Sequence, residues 1–357
     1  MPREPIQICR QAKAAVGRLK YAAFLLGLLL AACLPRAIAE PFATGLNQPR
    51  GMVFDMAGNL FVAEAGVRAT PAGGSAIGRV IRISPRRELS VVVDGLPFTA
   101  LPAHGDAGAA DVAIVSDTLL VLTGEGSSAL SRSVLRALPD GSVQPIASLL
   151  NFAAAGLPRD LIGSGLVANN PSAMVAAPDG SAVYVADGAS GRVLRVSLDG
   201  AIEPFAELPG MPPLTGMAFG PDASLYFANF SPLPHAPGSG AIWAADRSGN
   251  VAVAVDDLTM PIDVAFDAAG ALYVLEFSDG RRASQPYAAG LGRLLRIERE
   301  GARTIVLDRL NYPTAMAFSE SGDLYIAVNG AWSAAGQGEI LRLSCHALGA
   351  PATCPEL

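Results

Sequence analysis

The stretch PIDVAFDAAGALYVLE, residues 261–276, decides the fold of this chain. It contains a proline-led entry, a short apolar strand, a tight turn with Asp and Gly, and a second apolar strand ending in a polar residue. Six such stretches recur at spacings of 43 to 62 residues, and they open with PRGMVFD (Pro49–Asp55), AADVAIV (Ala109–Val115), PSAMVAA (Pro171–Ala177), LTGMAFG (Leu214–Gly220), PIDVAFD (Pro261–Asp267) and PTAMAFS (Pro313–Ser319). Strand-like units at this period predict a radial array of small sheets rather than a helical solenoid.

Each unit continues into a third strand, and five units continue into a fourth. The missing fourth strand has a counterpart near the start of the chain, where PFATGL (Pro41–Leu46) has the same pattern. We therefore predict an all-β fold: a six-bladed β-propeller of four-stranded antiparallel blades, in which the N-terminal strand joins the last blade and leaves no open sheet edge. The propeller is expected over residues 40–344.

Residues 1–39 have the three parts of an export signal: a basic start, an apolar core from Tyr21 to Leu34, and the small-residue site Ala37-Ile38-Ala39. The apolar core is too short to span a bilayer, so we expect cleavage before Glu40 and no membrane span. The alternative is a lipoprotein signal, because Leu30-Ala31-Ala32-Cys33 reads as a lipoprotein cleavage box that would place a lipid anchor on Cys33. Either reading predicts a periplasmic or extracellular protein.

Charge narrows the classes of partner. Without residues 1–39 the chain keeps 20 basic and 31 acidic side chains, a formal charge of −11, and all the basic residues are Arg. A chain without Lys cannot form a lysine Schiff base. The negative balance excludes nucleic acid as an expected partner, since nucleic-acid binding requires clustered positive charge. We expect a monomer whose partner is a small molecule or an exported protein.

Two cysteines remain in the expected C-terminal tail, residues 345–357. Cys345 and Cys354 are nine residues apart, and an oxidising compartment favours a disulfide between them.

Loop lengths indicate which face of the ring is functional. The turns between first and second strands, and those between third and fourth strands, are short throughout, whereas the other two connection types vary widely in length. Binding groups usually lie on long loops carried by a rigid scaffold. The longest connection, residues 150–171, reads either as a plug over apolar strand ends or as a lid whose Arg159 and Asp160 face solvent or a ligand.

Polar residues that end the second strands recur in every unit and point toward this face. They are Glu64, Glu125, Asp187, Asn229, Glu276 and Asn329. Such oxygen donors can bind Ca²⁺ or another divalent cation. They can equally cap their own loops by accepting hydrogen bonds from nearby backbone N–H groups.

Two aspartates interrupt a row of small residues on the inner strands. Gly51, Ala173, Gly216 and Ala315 share one position, which Asp111 and Asp263 occupy in units two and five. These two units are opposite each other in a six-fold ring. Their carboxylates can share a cation, share a proton, or bond separately to backbone or water.

Signals for covalent catalysis are weak in this chain. It has three histidines, of which His346 lies in the tail, and no zinc-spaced Cys pair or nucleophile-elbow motif. His104 and His235 lie in long loops on the expected functional face. A lone loop histidine is usually solvated, and no motif orients these two. Their place on this face nevertheless makes them ligand-binding candidates.

The stretches VADGASGRVLRVSLDG, PIDVAFDAAGALYVLEFSDG and PTAMAFSESGDLYIAVNG resemble the NHL-like repeats of the ScyD/ScyE family of exported propellers. The resemblance covers about residues 45–343. It implies an exported six-bladed ring, and it suggests an accessory role in processing an exported secondary metabolite. It carries no catalytic residues onto this chain.

We therefore expect a ligand- or protein-binding module that uses its long-loop face, with Ca²⁺ as the cation to consider on the axis. The alternative is a metal-dependent hydrolase or lyase acting on a small sugar-like lactone or ester, as in gluconolactonase-like propellers. In that case Asp111 or Asp263 would serve as ligand or base.

Overall fold

The computed structural model describes residues 38–66, 77–101, 105–150, 170–282, 284–298, 301–348 and 354. These residues form six antiparallel four-stranded sheets and one short 3₁₀ helix, Cys345–Leu348. The predicted six-bladed propeller is thus confirmed. No helix among these residues is long and apolar enough to cross a membrane.

We number the strands along the chain and the blades by their inner strand. Blade 1 contains β2 (Pro49–Phe54), β3 (Leu60–Glu64), β4 (Gly78–Ile83) and β5 (Leu89–Leu96). Blade 2 contains β6 (Ala109–Val115), β7 (Thr118–Thr123), β8 (Ser133–Ala137) and β9 (Val143–Ser148). Blade 3 contains β10 (Pro171–Ala176), β11 (Ala182–Asp187), β12 (Arg192–Ser197) and β13 (Ile202–Glu207).

The second half of the ring has the same organisation. Blade 4 contains β14 (Leu214–Phe219), β15 (Leu225–Asn229), β16 (Gly240–Ala245) and β17 (Val251–Leu258). Blade 5 contains β18 (Pro261–Phe266), β19 (Leu272–Glu276), β20 (Gly292–Ile297) and β21 (Arg303–Leu310). Blade 6 contains β22 (Ala315–Phe318), β23 (Leu324–Val328), β24 (Gly338–Leu343) and the N-terminal strand β1 (Glu40–Leu46).

Ring closure depends on this last pairing. Strand β1 runs antiparallel to β24, with Glu40 opposite Arg342 and Leu46 opposite Gly338. The Arg342 guanidinium also lies 3.1 Å from the Glu40 carboxylate, so an ion pair supports the strand pairing. The predicted closure of the last blade by the N-terminal strand is therefore confirmed, and it leaves no unpaired outer edge on β24.

Apolar side chains are buried between neighbouring blades. One cluster joins blades 6 and 1 through Leu46, Met52 and Ile340, and others join blades 1 and 2 or blades 2 and 3. β-Branched and aromatic residues dominate these strands because both faces of each sheet pack against a neighbour. The inner strands contact one another in a closed circle around the axis.

Alternate connections emerge on opposite faces of the ring because each blade is antiparallel. Connections such as 55–59, 116–117 and 177–181 are short. The opposite face carries the longer connections, for example 97–108, 230–239 and 277–291. We call it the long-loop face, and each inner strand begins there.

Candidate functional site

A cavity of about 390 Å³ lies on the axis of the ring. All six inner strands line it, and at the long-loop end Gly105, Asp106, Glu125 and Asn170 join the lining. Its volume is in the range that holds a small organic ligand. The cavity opens toward the face on which the sequence predicts functional groups, and two of the predicted polar groups, Asp111 and Asp263, line it.

Hydroxyl groups at or just before the start of three inner strands donate a hydrogen bond to the next blade, an interaction that we call a latch. Ser172 Oγ donates to the carbonyl of Leu214 at 2.8 Å, and Thr215 Oγ1 donates to Pro261 at 3.1 Å. Thr314 Oγ1 donates to the Pro49 carbonyl at 2.7 Å. These bonds cross from blade 3 to 4, from 4 to 5 and from 6 to 1.

Asp111 makes the corresponding latch from blade 2. One carboxylate oxygen accepts the N–H of Val112 at 2.8 Å, and the other accepts the N–H of Met174, in blade 3, at 2.7 Å. The side chain one position earlier is Ala110, which cannot form a hydroxyl latch.

Asp263 repeats this arrangement in blade 5. Its carboxylate accepts the N–H of Val264 at 2.8 Å and the N–H of Met316, in blade 6, at 2.7 Å. The preceding residue, Ile262, again lacks a hydroxyl group. Of the three arrangements considered for the two aspartates, the structure shows separate bonds to backbone.

Each aspartate also explains a glycine in the preceding blade. A Cβ atom on Gly51 would overlap the Asp111 carboxylate, and one on Gly216 would overlap that of Asp263. Ala173 and Ala315 are tolerated because the next blade has glycine, not aspartate, at this position. The small residues of this row are therefore set by their neighbours, and not only by general crowding at the axis.

Both carboxyl groups line the cavity and hold protons more tightly than usual. Burial raises the pKa of Asp111 to about 8, although two backbone N–H bonds act the other way, and the charge of Asp263 adds to the rise. Burial likewise raises the pKa of Asp263 to about 7, against its own two backbone bonds. Near neutral pH the cavity therefore carries less negative charge than its composition suggests.

Arg50 is the basic side chain that lines this cavity among the described residues. It occupies the position of the hydroxyl latches, and its Nη2 donates to the backbone carbonyl of Asp106 at 2.7 Å. Burial lowers the pKa of Arg50 to about 10, and the negative charge of Asp106 only partly offsets this. Within the described part of the chain, no carboxylate lies within 4.0 Å of its guanidinium nitrogens.

The loop before blade 2 holds Arg50 in place. The carboxylate of Asp106 accepts hydrogen bonds from Gln48 Nε2 at 3.1 Å and from the N–H of Leu101 at 3.1 Å. Asp106 is thereby directed at the loop and at Gln48, and presents its backbone carbonyl to Arg50.

Glu64 and Glu276, at the ends of their second strands, are completely buried and paired. Glu64 forms an ion pair with Arg79 and accepts the N–H of Asn47. Glu276 forms an ion pair with Arg293 and accepts the N–H of Thr259 at 2.6 Å, while burial raises its pKa. Each bonds a backbone N–H 17 residues earlier, so both cap the entry to the inner strand.

Asp187 and Asn229 occupy the same position with different outcomes. Asp187 accepts the N–H of Asn170 at 2.9 Å and the hydroxyl of Ser190 at 2.6 Å. In blade 4 the residue 17 positions before Asn229 is Pro212, which has no N–H to donate. The buried Oδ1 atom of Asn229 accordingly has no hydrogen-bond partner among the described residues.

The remaining two strand-end residues are placed differently. Glu125 lines the cavity and lies 3.7 Å from Arg132. Asn329 adopts a left-handed backbone, with φ of 54°, and its side chain donates to the carbonyl of Gln337 at 2.9 Å. The six strand-end residues thus have individual roles, of which loop capping is the commonest.

His235 is buried, only 8% exposed, although a lone loop histidine is usually solvated. Its Nδ1 lies 2.7 Å from the Ser231 carbonyl and therefore carries the proton, which leaves Nε2 to accept the Tyr287 hydroxyl. The pair ties the loop of blade 4 to the loop of blade 5.

An aromatic cluster surrounds this histidine on the long-loop face. Its members have ring centroids 5.0 to 6.3 Å apart, and they are Phe230, His235, Phe277, Tyr287, Tyr312 and Trp332. None of these rings is among the described residues that line the cavity, and the link to it is Gly105, which lines the cavity and lies near Trp332. A Cβ on Gly105 would stand 3.7 Å from Arg50 Nη2 and 3.8 Å from Trp332 Cζ2.

The C-terminal cysteines are joined as a disulfide, Cys345–Cys354, with Cα atoms 5.7 Å apart. With His346 they form the group of three Cys, His, Asp or Glu side chains in the described residues whose ligand atoms lie within 4.8 Å of one another. No such group includes the axial carboxylates. The described residues therefore do not fit a divalent cation held by three acidic side chains on the axis.

Three candidate residues, His104, Arg159 and Asp160, lie outside the described residues. Sequence reasoning missed Arg50, Asp106 and the aromatic cluster. Aligning the second position of the six inner strands reveals Arg50 as the charged member of a set otherwise composed of Ala110, Ser172, Thr215, Ile262 and Thr314.

No family model and no curated protein sequence matches the chain. Several solved structures share its fold at low sequence identity. A gluconolactonase from Xanthomonas campestris is 18% identical with a TM-score of 0.55, covering 88% of this chain and 92% of that chain. A protein assigned as an oxidoreductase (glucose dehydrogenase) from Thermus thermophilus is 17% identical with a TM-score of 0.59, covering 86% and 99%.

A third similar structure is a catalytically inactive virginiamycin B lyase from Staphylococcus aureus, solved with quinupristin. It is 12% identical with a TM-score of 0.52, covering 87% of this chain and 99% of that chain. At these identities the likeness shows the propeller fold alone, since one such fold hosts many activities.

Proposed function

We propose that this protein is a binding module that takes a small molecule into the axial cavity from the long-loop face. The observation that carries the proposal is the 390 Å³ cavity itself, which combines a ligand-sized space with polar groups at its long-loop end. Latches between neighbouring blades make its wall rigid, so a ligand meets a preformed site.

A cavity-filling pair of variants tests this function. Ala173 is 6% exposed and lines the cavity, and Ala173→Leu should obstruct it. The matched control is Ala252→Leu on the exposed face of outer strand β17. Saturation-transfer NMR with a mixed panel of small acids, amides and lactones should show binding to the wild type and to the control, but not to Ala173→Leu.

Ala315→Leu fills the cavity from the opposite blade and serves if Ala173→Leu fails to fold. Binding that survives in both filled variants, or a wild-type protein that binds no member of the panel, would contradict the proposal.

A second candidate function is a hydrolase or lyase acting on a small sugar-like lactone or ester. The observation that favours it is the pair of cavity-lining carboxyl groups, Asp111 and Asp263, whose raised pKa values suit proton transfer near neutral pH. Turnover of a lactone and ester panel, with and without chelator, tests this candidate. Turnover abolished by Asp111→Asn or Asp263→Asn would favour the enzyme.

Export to the periplasm or beyond remains a prediction from the leader sequence, as does membership of the ScyD/ScyE family. Mass measurement of the mature N-terminus tests the former: a chain beginning at Glu40 supports a free exported protein, and a lipid-modified Cys33 supports the anchored form.

A further inference from the structure

The ligand class follows from Arg50, the one cation among the described residues that line the cavity. We propose that the axial cavity binds a small organic monocarboxylate with an apolar or aromatic body, and that Arg50 recognises its carboxylate. This inference rests on the proposed binding function and specifies the substrate class of the same site.

Latching alone does not explain an arginine at this position. Ser172, Thr215 and Thr314 cross the equivalent interfaces with a hydroxyl group and no charge. Arg50 makes the same kind of bond with one nitrogen, to the Asp106 carbonyl. Its remaining N–H donors are surplus to the latch and belong to a side chain that lines the cavity.

Arg50 is half-buried, and a partly desolvated guanidinium is costly unless its charge and its donors are compensated. The carboxylate of Asp106 is engaged by Gln48 and by the Leu101 N–H, and Glu125 lies beside Arg132. A carboxylate ligand would meet the planar fork of Arg50 with two parallel hydrogen bonds, a geometry that guanidinium groups favour.

Charge selects a monoanion over a dianion such as phosphate. The carboxylates of Asp106 and Glu125 also line the cavity, and Arg50 is the basic residue facing them in the described lining. A single negative charge neutralises Arg50, whereas a second would lie among acidic groups without a cation of its own.

Apolar residues of the inner strands supply the other side of the site. Val53, Val175 and Met316 line the same cavity as Arg50, so one ligand can contact a guanidinium and apolar groups together. Ligand pockets of this size are commonly apolar with a few polar groups that fix orientation.

Matched acid and amide pairs test the inference: acetate with acetamide, phenylacetate with phenylacetamide, and indole-3-acetate with indole-3-acetamide. Calorimetry or NMR titration of the mature protein should give tighter binding of each acid than of its amide, by roughly tenfold to hundredfold for the aromatic pairs. Arg50→Met should remove this difference. Arg82→Met, at an exposed position on β4, removes the same charge without touching the cavity and should keep it.

The outcomes separate the two proposals. If acids and amides bind equally and Ala173→Leu abolishes both, the binding function stands and the carboxylate inference is wrong. If neither binds, or if binding survives cavity filling, both are wrong. Inorganic phosphate binding more tightly than phenylacetate would also overturn the monocarboxylate assignment. If Arg50→Met fails to fold, Arg50→Lys should fold and bind acids more weakly, because lysine keeps the charge but lacks the fork.

Discussion

The inner strands of blades 1–3 and of blades 4–6 carry matching residue types at their second and third positions, with one exception. Along the inner strands the row Gly51, Asp111, Ala173 corresponds to Gly216, Asp263, Ala315. The residues one position earlier also correspond, as apolar Ala110 and Ile262 and as hydroxyl-bearing Ser172 and Thr314. The exception is Arg50, whose counterpart in blade 4 is Thr215.

Residues that the two halves share hold the ring together, whereas the residue that differs is the one that we assign to ligand binding. A three-blade pattern is used twice: the bonds of Asp111 and Ser172 to the next blade match those of Asp263 and Thr314, and these residues explain stability. The position at which the halves differ places the half-buried guanidinium of Arg50 in the lining of the cavity. The described loops differ as well, because the aromatic cluster lies over blades 4–6 and Arg50 with Asp106 lies at blades 1 and 2.

The largest expected effect comes from breaking the junction between the halves. Deleting residues 40–48 removes β1 and leaves β24 without its outer partner. We expect the thermal unfolding transition to lose its cooperativity, because the buried Leu46 and its contacts in the cluster between blades 6 and 1 are lost. Circular dichroism recorded during heating measures this. The control is the chain beginning at Glu40, and an unchanged melting temperature after the deletion would contradict the closure.

The next largest effect is a dependence of stability on pH, to which Asp111 and Asp263 should contribute over different pH ranges. Both carboxyl groups have folded-state pKa values, about 8 and about 7, above the unfolded value of 3.8. The folded state therefore holds more protons, and the stability that these groups contribute is complete below about pH 4 and is lost as pH rises toward 8. We expect the free energy of unfolding to fall by about 1 kcal/mol per pH unit for each group between about pH 5 and pH 7.

Urea denaturation at several pH values measures this slope. Asp111→Asn should make the free energy of unfolding less dependent on pH up to about pH 8, and Asp263→Asn should do so only up to about pH 7. A wild-type stability that rises with pH over this range would contradict the assignment.

A smaller effect tests whether the two halves are equivalent. Gly51→Ala and Gly216→Ala each place a Cβ atom against the aspartate of the next blade. We expect each to lower the free energy of unfolding by about 1–3 kcal/mol, and by similar amounts. Ala252→Val on an exposed strand is the control, and a large effect in one half alone would show that the halves are not built alike.

The smallest effect on stability is expected from making the halves identical. Arg50→Thr places the residue of blade 4 in blade 1 and removes a half-buried charge. The free energy of unfolding should change by no more than about 1 kcal/mol, as for Arg82→Thr, while acid binding is lost. A loss of several kcal/mol would show that Arg50 serves mainly as a structural latch.

Period and strand pattern were sufficient to predict the fold, including the pairing of Pro41–Leu46 with the last blade. The role of Asp111 was not predictable from one unit, because its second bond is to Met174 in the next blade, 63 residues later. His235 was expected to be solvated because its partner Tyr287 lies 52 residues away. The role of Arg50 was not predictable from its own unit, because its partner Asp106 lies 56 residues later, in the loop before blade 2.

A crystal structure of the mature protein soaked with phenylacetate tests the central claim most directly. The account predicts electron density on the propeller axis, with the carboxylate hydrogen-bonded to the Arg50 guanidinium and the phenyl ring against the apolar residues of the inner strands. Phenylacetate bound with its carboxylate away from Arg50, or bound outside the axial cavity, would contradict it.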